Sequence, residues 1–124
     1  MNNNVRLYLI ELARKRQGFI YYQELSDNCN LGFNFRESPY DRKEIGRILG
    51  EISEFEHNHD RPLLSALVLS KNLEEGDGFY KLCEELGFGS YRKLKGDPAF
   101  PSIQMNRCYE FWQNESNYSK YKDL

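Results

Sequence analysis

The run Phe19-Ile20-Tyr21-Tyr22-Gln23-Glu24-Leu25-Ser26 decides how this chain is read. Its first four residues are aromatic or β-branched, which predicts a short strand. A short helix from Gln23 to about Asn28 follows, anchored by Leu25, with Cys29 near its end. Downstream, Ser38-Pro39-Tyr40-Asp41 is a helix start: Ser38 or Asp41 can cap, and Pro39 is favoured at the first helical position. The helix it opens carries Ile45, Ile48, Leu49, Ile52 and Phe55 on one face. Asp60-Arg61-Pro62 breaks it. Leu63 to Leu69 is then almost wholly apolar, as expected of a strand covered on both faces. Strand, short helix, long helix and strand is the order of a winged helix-turn-helix.

Upstream, Val5, Tyr8, Leu9, Leu12 and Ala13 share one face of a first helix running from Val5 to Arg16, capped by Asn3 or Asn4 and ended by Gly18. Gly46 and Gly50 lie four apart in the long helix, each costing roughly 1 kcal/mol against Ala. Close approach of another backbone is the simplest offset. After the apolar run, Ser70 to Gly78 reads as a polar turn, the tip of a hairpin or wing. Phe79, Leu82, Cys83 and Leu86 give a short amphipathic helix stopped by Gly87. Residues 88 to 101 read as an irregular loop. Ser102 caps a last helix to about Asn114, with Met105, Cys108, Tyr109 and Trp112 inward. The sequence thus predicts an α+β fold, a winged-helix-like core of three helices and a small sheet with two C-terminal helices. One domain covers 1–114, and 115–124 is a flexible polar tail. Leu9, Leu12, Ile20, Leu25, Ile45, Ile48, Leu49, Ile52, Leu64, Ala66, Val68, Phe79, Leu82 and Trp112 should form the core.

With 124 residues the chain has room for one core. Its net charge of -2 weighs against binding nucleic acid by bulk electrostatics, although local basic surface is still allowed. No segment is long and apolar enough for a membrane span, and Met1-Asn2-Asn3-Asn4 lacks the apolar run of a signal peptide. The expected location is the cytoplasm. Cys29, Cys83 and Cys108 are odd in number and widely spaced, unlike a disulfide framework or a zinc site.

Motifs that would carry chemistry are missing. His57-Asn58-His59 spells the name of a nuclease motif, but adjacent residues at a helix end read as a cap. Ser65 has no flanks of a nucleophile, and Gly76-Asp77-Gly78 lacks the Lys of a phosphate loop. No cofactor, metal or catalytic residue is expected, and the chain reads as a binding module and not an enzyme. Arg42, Lys43 and Arg47 occupy the solvent side of the first half of the long helix, and Glu51, Glu54 and Glu56 lie in the second. Two readings stay open: a basic end that meets nucleic acid, or a mixed solvated face with intrahelical pairs.

Tyr22-Gln23-Glu24-Leu25, Asp41-Arg42-Lys43-Glu44-Ile45-Gly46-Arg47-Ile48-Leu49, Arg61-Pro62-Leu63-Leu64-Ser65-Ala66-Leu67-Val68 and Gly78-Phe79 together resemble the winged-helix domain of alkylguanine-DNA alkyltransferases and alkyltransferase-like proteins. The likeness spans the middle half of the chain. It implies a DNA-binding scaffold, with Tyr22 near the backbone and Arg42 and Arg47 on the reading helix. Leu63-Leu64-Ser65 stands where that family has its reactive Cys and His, so alkyl transfer is not implied. Gln23 replaces the family's Gly, and Phe79 to Trp112 has no counterpart. The chain also resembles small bacterial and phage proteins to which no function is attached. The first expectation is a non-catalytic module on double-stranded DNA, contacted by Tyr22, Arg42, Lys43, Arg47 and Lys71. The alternative is a protein-interaction module, an adaptor or inhibitor in a bacterial or phage conflict system, using Arg61, Tyr91 and Tyr109.

Overall fold

The computed structural model describes residues 1–124. Helices dominate: α1 Asn3–Ala13, α2 Tyr22–Asn28, α3 Pro39–Asn58, α4 Asp77–Glu85, α5 Tyr91–Lys95, α6 Phe100–Trp112 and α7 Glu115–Tyr121. The sheet has only two strands, β1 Ile20–Tyr21 and β2 Val68–Leu69, and they pair in parallel, Ile20 with Val68 and Tyr21 with Leu69. The fold is α+β in this broad sense. None of its helices is long and apolar enough to cross a membrane.

Local chemistry sets most helix starts. Asn2 caps α1 by accepting the Val5 N–H at 3.0 Å, one residue earlier than expected. Ser38 accepts the Asp41 N–H at 3.2 Å with Pro39 inside α3. The last turn of α3 ends with the His59 ring against the Phe55 carbonyl.

The apolar run is buried as expected, but its backbone departs from the expectation. Leu64–Leu67 forms a 3-10 turn, and only Val68 and Leu69 are strand. That turn is the hub on which α1, α3 and α6 pack. Inside it, Ser65 donates its N–H to Ser53 Oγ at 3.1 Å, while Ser53 donates its hydroxyl to Ser65 Oγ at 2.6 Å. Both serines are buried, so each satisfies the other where no water reaches. No strand follows β2. The expected wing instead turns at Ser70–Leu73 and enters α4 at Asp77.

Val5, Leu9, Ile20, Leu25, Ile45, Ile48, Leu49, Ile52, Leu64, Val68, Cys108 and Trp112 belong to the main core. A smaller core gathers Leu63, Ala66, Phe79, Tyr80, Cys83, Leu94 and Phe100. Leu82, expected inside, is only half-buried because its face of α4 borders an open depression. Residues 115–124 are not a free tail: Asn114 caps α7 by accepting the Asn117 N–H at 3.0 Å, and Tyr118 and Tyr121 pack on the core. Within the loop expected at 88–101, Ser90 caps α5.

A buried ion network fixes the ends of the chain to the middle. Glu56, fully buried, accepts from Arg6 Nε at 3.0 Å and from Arg61 Nε and Nη2 at 3.1 and 3.0 Å. Arg6 also donates to the Lys122 and Tyr121 carbonyls at 2.6 and 3.0 Å, which holds the end of α7 to α1.

Gly46 and Gly50 correct a second expectation. A Cβ at either position would meet nothing within 4 Å. No backbone approaches them, so their cost to α3 is not offset by packing. Gly50→Ala is therefore expected to stabilise the protein by about 1 kcal/mol. The midpoint of urea unfolding would rise; an unchanged or lowered midpoint contradicts this reading.

Candidate nucleic-acid interface

β1 and β2 run the same way, so their carboxyl ends come out side by side. A groove of about 680 Å³ opens there. Tyr21, Tyr22 and Gln23 come from the passage of β1 into α2, Asn34, Phe35 and Arg36 from the loop before α3, and Leu69, Ser70 and Lys71 from the end of β2. That volume lies within the range of pockets that hold a small ligand or part of a larger one.

The loop that forms the middle wall is tied down at several points. Phe33 N–H donates to Ser26 Oγ at 3.0 Å, and Gln23 Nε2 donates to the Phe33 carbonyl at 2.9 Å. Asn34 N–H donates to Asp41 Oδ2 at 2.9 Å. The Asn34 side-chain oxygen accepts the Arg36 and Glu37 N–H groups, an Asx turn that presents Arg36. Phe35 meets Tyr22 and Phe33 edge to face, with ring centres 6.4 and 5.8 Å apart. On the far wall, Ser70 accepts the Leu73 N–H and donates its own to the Glu74 carbonyl, closing a tight turn with Leu73 at φ +66°.

The lining side chains carry charge of one sign, while the carboxylates of Asp41, Glu37 and Asp27 stand behind the lining residues Asn34 and Gln23. Arg36 and Lys71 are the only charged residues lining it, both are exposed, and neither side chain has an ion-pair partner. Arg42 stands at the edge, donating to the Phe35 carbonyl. Beneath the groove, burial first and then the Glu75 carboxyl push the Tyr22 hydroxyl up to about 12, so it is neutral at ordinary pH. That hydroxyl lies against Gly76, where a Cβ would come within 2.9 Å of it. A side chain at position 76 would therefore push the Tyr22 ring aside.

The residues expected to bind nucleic acid are partly brought together. Tyr22 and Lys71 line one groove, Arg42 is at its edge, and Lys43 is exposed next to Arg42 along α3. Arg47 stands elsewhere, in a depression of about 400 Å³ between α3 and α4 that also holds Glu51, Glu54, Lys81 and Glu85. Its guanidinium is spanned by Glu44 at 2.5 Å and Glu51 at 3.1 Å. The hydrogen bond from Arg47 holds Glu44 below the usual carboxylate range, and the N-terminal amine does the same for Glu51. Arg47 is thus neutralised on its own helix, the second of the two readings of this helix.

The residues expected at a protein interface go to three different places. Arg61 is buried in the Glu56 network and is not available to a partner. Tyr109 donates to the Gly18 carbonyl at 2.8 Å. Tyr91 donates to Asp77 at 2.9 Å and packs on the smaller core.

Tyr21, Asn34, Phe35 and Arg36 line the groove without being among the contacts that the sequence predicts. The available signal was Phe33-Asn34-Phe35-Arg36, two aromatics and a cation inside a connecting loop, where functional residues concentrate. No three His, Cys, Asp or Glu side chains converge to hold a metal. No protein-family model matches the chain, and no curated protein or solved structure matches it significantly.

Proposed function

We propose that the chain is a non-catalytic nucleic-acid-binding module whose contact surface is the groove at the strand ends, not the exposed face of α3. One observation carries this reading. In a chain of net charge -2, the only charges lining the groove are two cations without carboxylate partners. Phosphate is the ligand chemistry that suits such a wall, because it replaces the counterions of both groups at once. The winged-helix-like order and the alkyltransferase-like resemblance agree with a nucleic-acid scaffold. Of the contacts expected from the sequence, Tyr22, Lys71 and Arg42 at the first turn of α3 are kept, Arg36 is added, and Arg47 drops out.

Fluorescence anisotropy with a labelled oligonucleotide tests it. Three phosphate contacts give a log–log salt slope of about -2 to -3. The double variant Arg36→Glu, Lys71→Glu should weaken binding by at least tenfold at 50 mM salt and flatten the slope. Arg47→Glu should leave affinity nearly unchanged, because Glu44 and Glu51 already neutralise that side chain. Undiminished binding by the double variant removes the groove from consideration.

A protein-partner reading draws on a different observation, the unfilled face at Gly46, Gly50 and Gly78. It is distinguished by the same assay, since no salt-dependent oligonucleotide binding is then expected.

A further inference from the structure

We infer that the groove takes a single strand, with bases stacked on its aromatic wall, and does not read an intact duplex. The inference rests on the nucleic-acid reading above and specifies the form of the ligand.

Three observations carry it. First, the cations flank a concavity and do not stand on a protruding helix. A duplex is read by an element that protrudes into its major groove. The longest exposed helix face here is that of α3, and around Arg47 it carries Glu44, Glu51 and Glu54. There the acids outnumber the one arginine, and the free cations Arg42 and Lys43 lie in the helix's first turns, on the groove side. Arg36 and Lys71 line the concavity, which is framed by two strand ends and a loop.

Second, the concavity is aromatic. Tyr21, Tyr22 and Phe35 line it, and Phe19 extends the wall beside Tyr21, edge to face at 5.8 Å. Phe19 is 40% exposed, so its ring is accessible beside Tyr21. Bases held in a duplex bury their faces against one another. Only an unpaired strand can offer a base face to such a wall.

Third, the polar groups between the rings are amides. Asn34 and Gln23 line the groove, and Gln23 uses its amide nitrogen internally, which leaves the carbonyl oxygen as an acceptor. Stacking rings, alternating cations and a few amides make up a platform that tracks a strand with little sequence preference.

The test uses the full chain and four probes: fluorescein-labelled oligo-dT and oligo-U of twelve nucleotides, and the duplexes of each with its complement. The single strands should bind at least tenfold tighter than the duplexes at 100 mM salt, and the two strand arms show whether the sugar is distinguished. Tyr21→Ala and Phe35→Ala should each weaken strand binding roughly 10- to 100-fold, and Tyr21→Phe should restore most of it. Circular dichroism melts establish that the variants fold. Should Phe35→Ala fail to fold, Phe19→Ala at an exposed ring takes its place, with an expected loss of about fivefold. Duplex affinity equal to or above strand affinity overturns the inference while leaving the groove as a nucleic-acid site. The same holds if the alanine variants bind fully but Arg36→Glu, Lys71→Glu does not. If no probe binds, the nucleic-acid reading fails and this inference falls with it.

Discussion

Glu56→Ala is expected to destabilise the protein by about 3–5 kcal/mol, the loss typical of breaking a buried ion pair from one side. The carboxylate is fully buried and receives three charged hydrogen bonds from Arg6 and Arg61, each only 3–4% exposed. Removing it leaves two guanidinium groups in the interior without a counterion. Their remaining contacts are the Tyr121 and Lys122 carbonyls for Arg6, and ring faces for both. Arg6 lies over Phe55 and Trp112, and Arg61 over Phe55 and Tyr121, at 5.3 to 5.9 Å. Such contacts are worth about 0.5–2 kcal/mol each and do not replace the lost charge. Glu56→Gln should be nearly as damaging, because size is kept but charge is not. Urea unfolding would record a fall in midpoint without a change in slope. A loss below 1 kcal/mol would mean that the network is more hydrated than its burial implies. Replacing all three residues by apolar ones should cost less than removing Glu56 alone.

Glu75→Gln is expected to change how stability depends on pH. Glu75 is 7% exposed, and neither carboxyl oxygen has a hydrogen-bond partner. Burial pushes it up from 4.5 to about 9. Between those values the folded protein holds a proton that the unfolded chain has released. Stability is therefore fully present below pH 4.5 and falls as pH rises toward 9. Glutamine cannot ionise, so the variant should lack that slope. Near pH 8.5 it should exceed the parent by on the order of 5 kcal/mol, and near pH 5 the gap should close to about 1 kcal/mol. Thermal melts at half-unit steps from pH 5 to 8.5 measure this. The window stops there because burial also raises the Cys83 and Cys108 thiols, whose ionisation would add losses at higher pH. Parallel curves for the two proteins would show that Glu75 is solvated.

Much of the fold is legible in the residues because local signals and tertiary demands coincide. Ser38-Pro39 starts α3, and the Ile45, Ile48, Leu49 and Ile52 stripe faces the core as its period requires. Phe55, on the same stripe, is only half-buried, and its ring instead meets the two buried arginines. The failures have physical causes. Leu63 to Leu69 has no alternation, and an apolar run without a period specifies burial but not backbone. Packing of three helices on the run selects a 3-10 turn. Residues 115–124 are polar enough to look like a tail, but Asn114 and Asn117 carry a cap signal and Arg6 reaches from the other end of the chain to hold them. The intrahelical pairs of Arg47 could be read from its spacing to Glu44 and Glu51. The groove could not. Its walls come from 21–23, 34–36 and 69–71, and no local pattern says that three distant segments will share a rim.

The parallel pairing of β1 with β2 has a kinetic consequence. A hairpin can zip from its turn, but parallel neighbours must wait for the crossover between them, here α2 and α3, to be laid down. The seam is also only two residues long, which makes it a natural place for the molecule to part without melting its helices. Parting would separate Tyr21 from Leu69 and erase the concavity. An occupant that touches both sides of the seam would act as a clasp, and amide exchange in β1 and β2 would slow when it is bound.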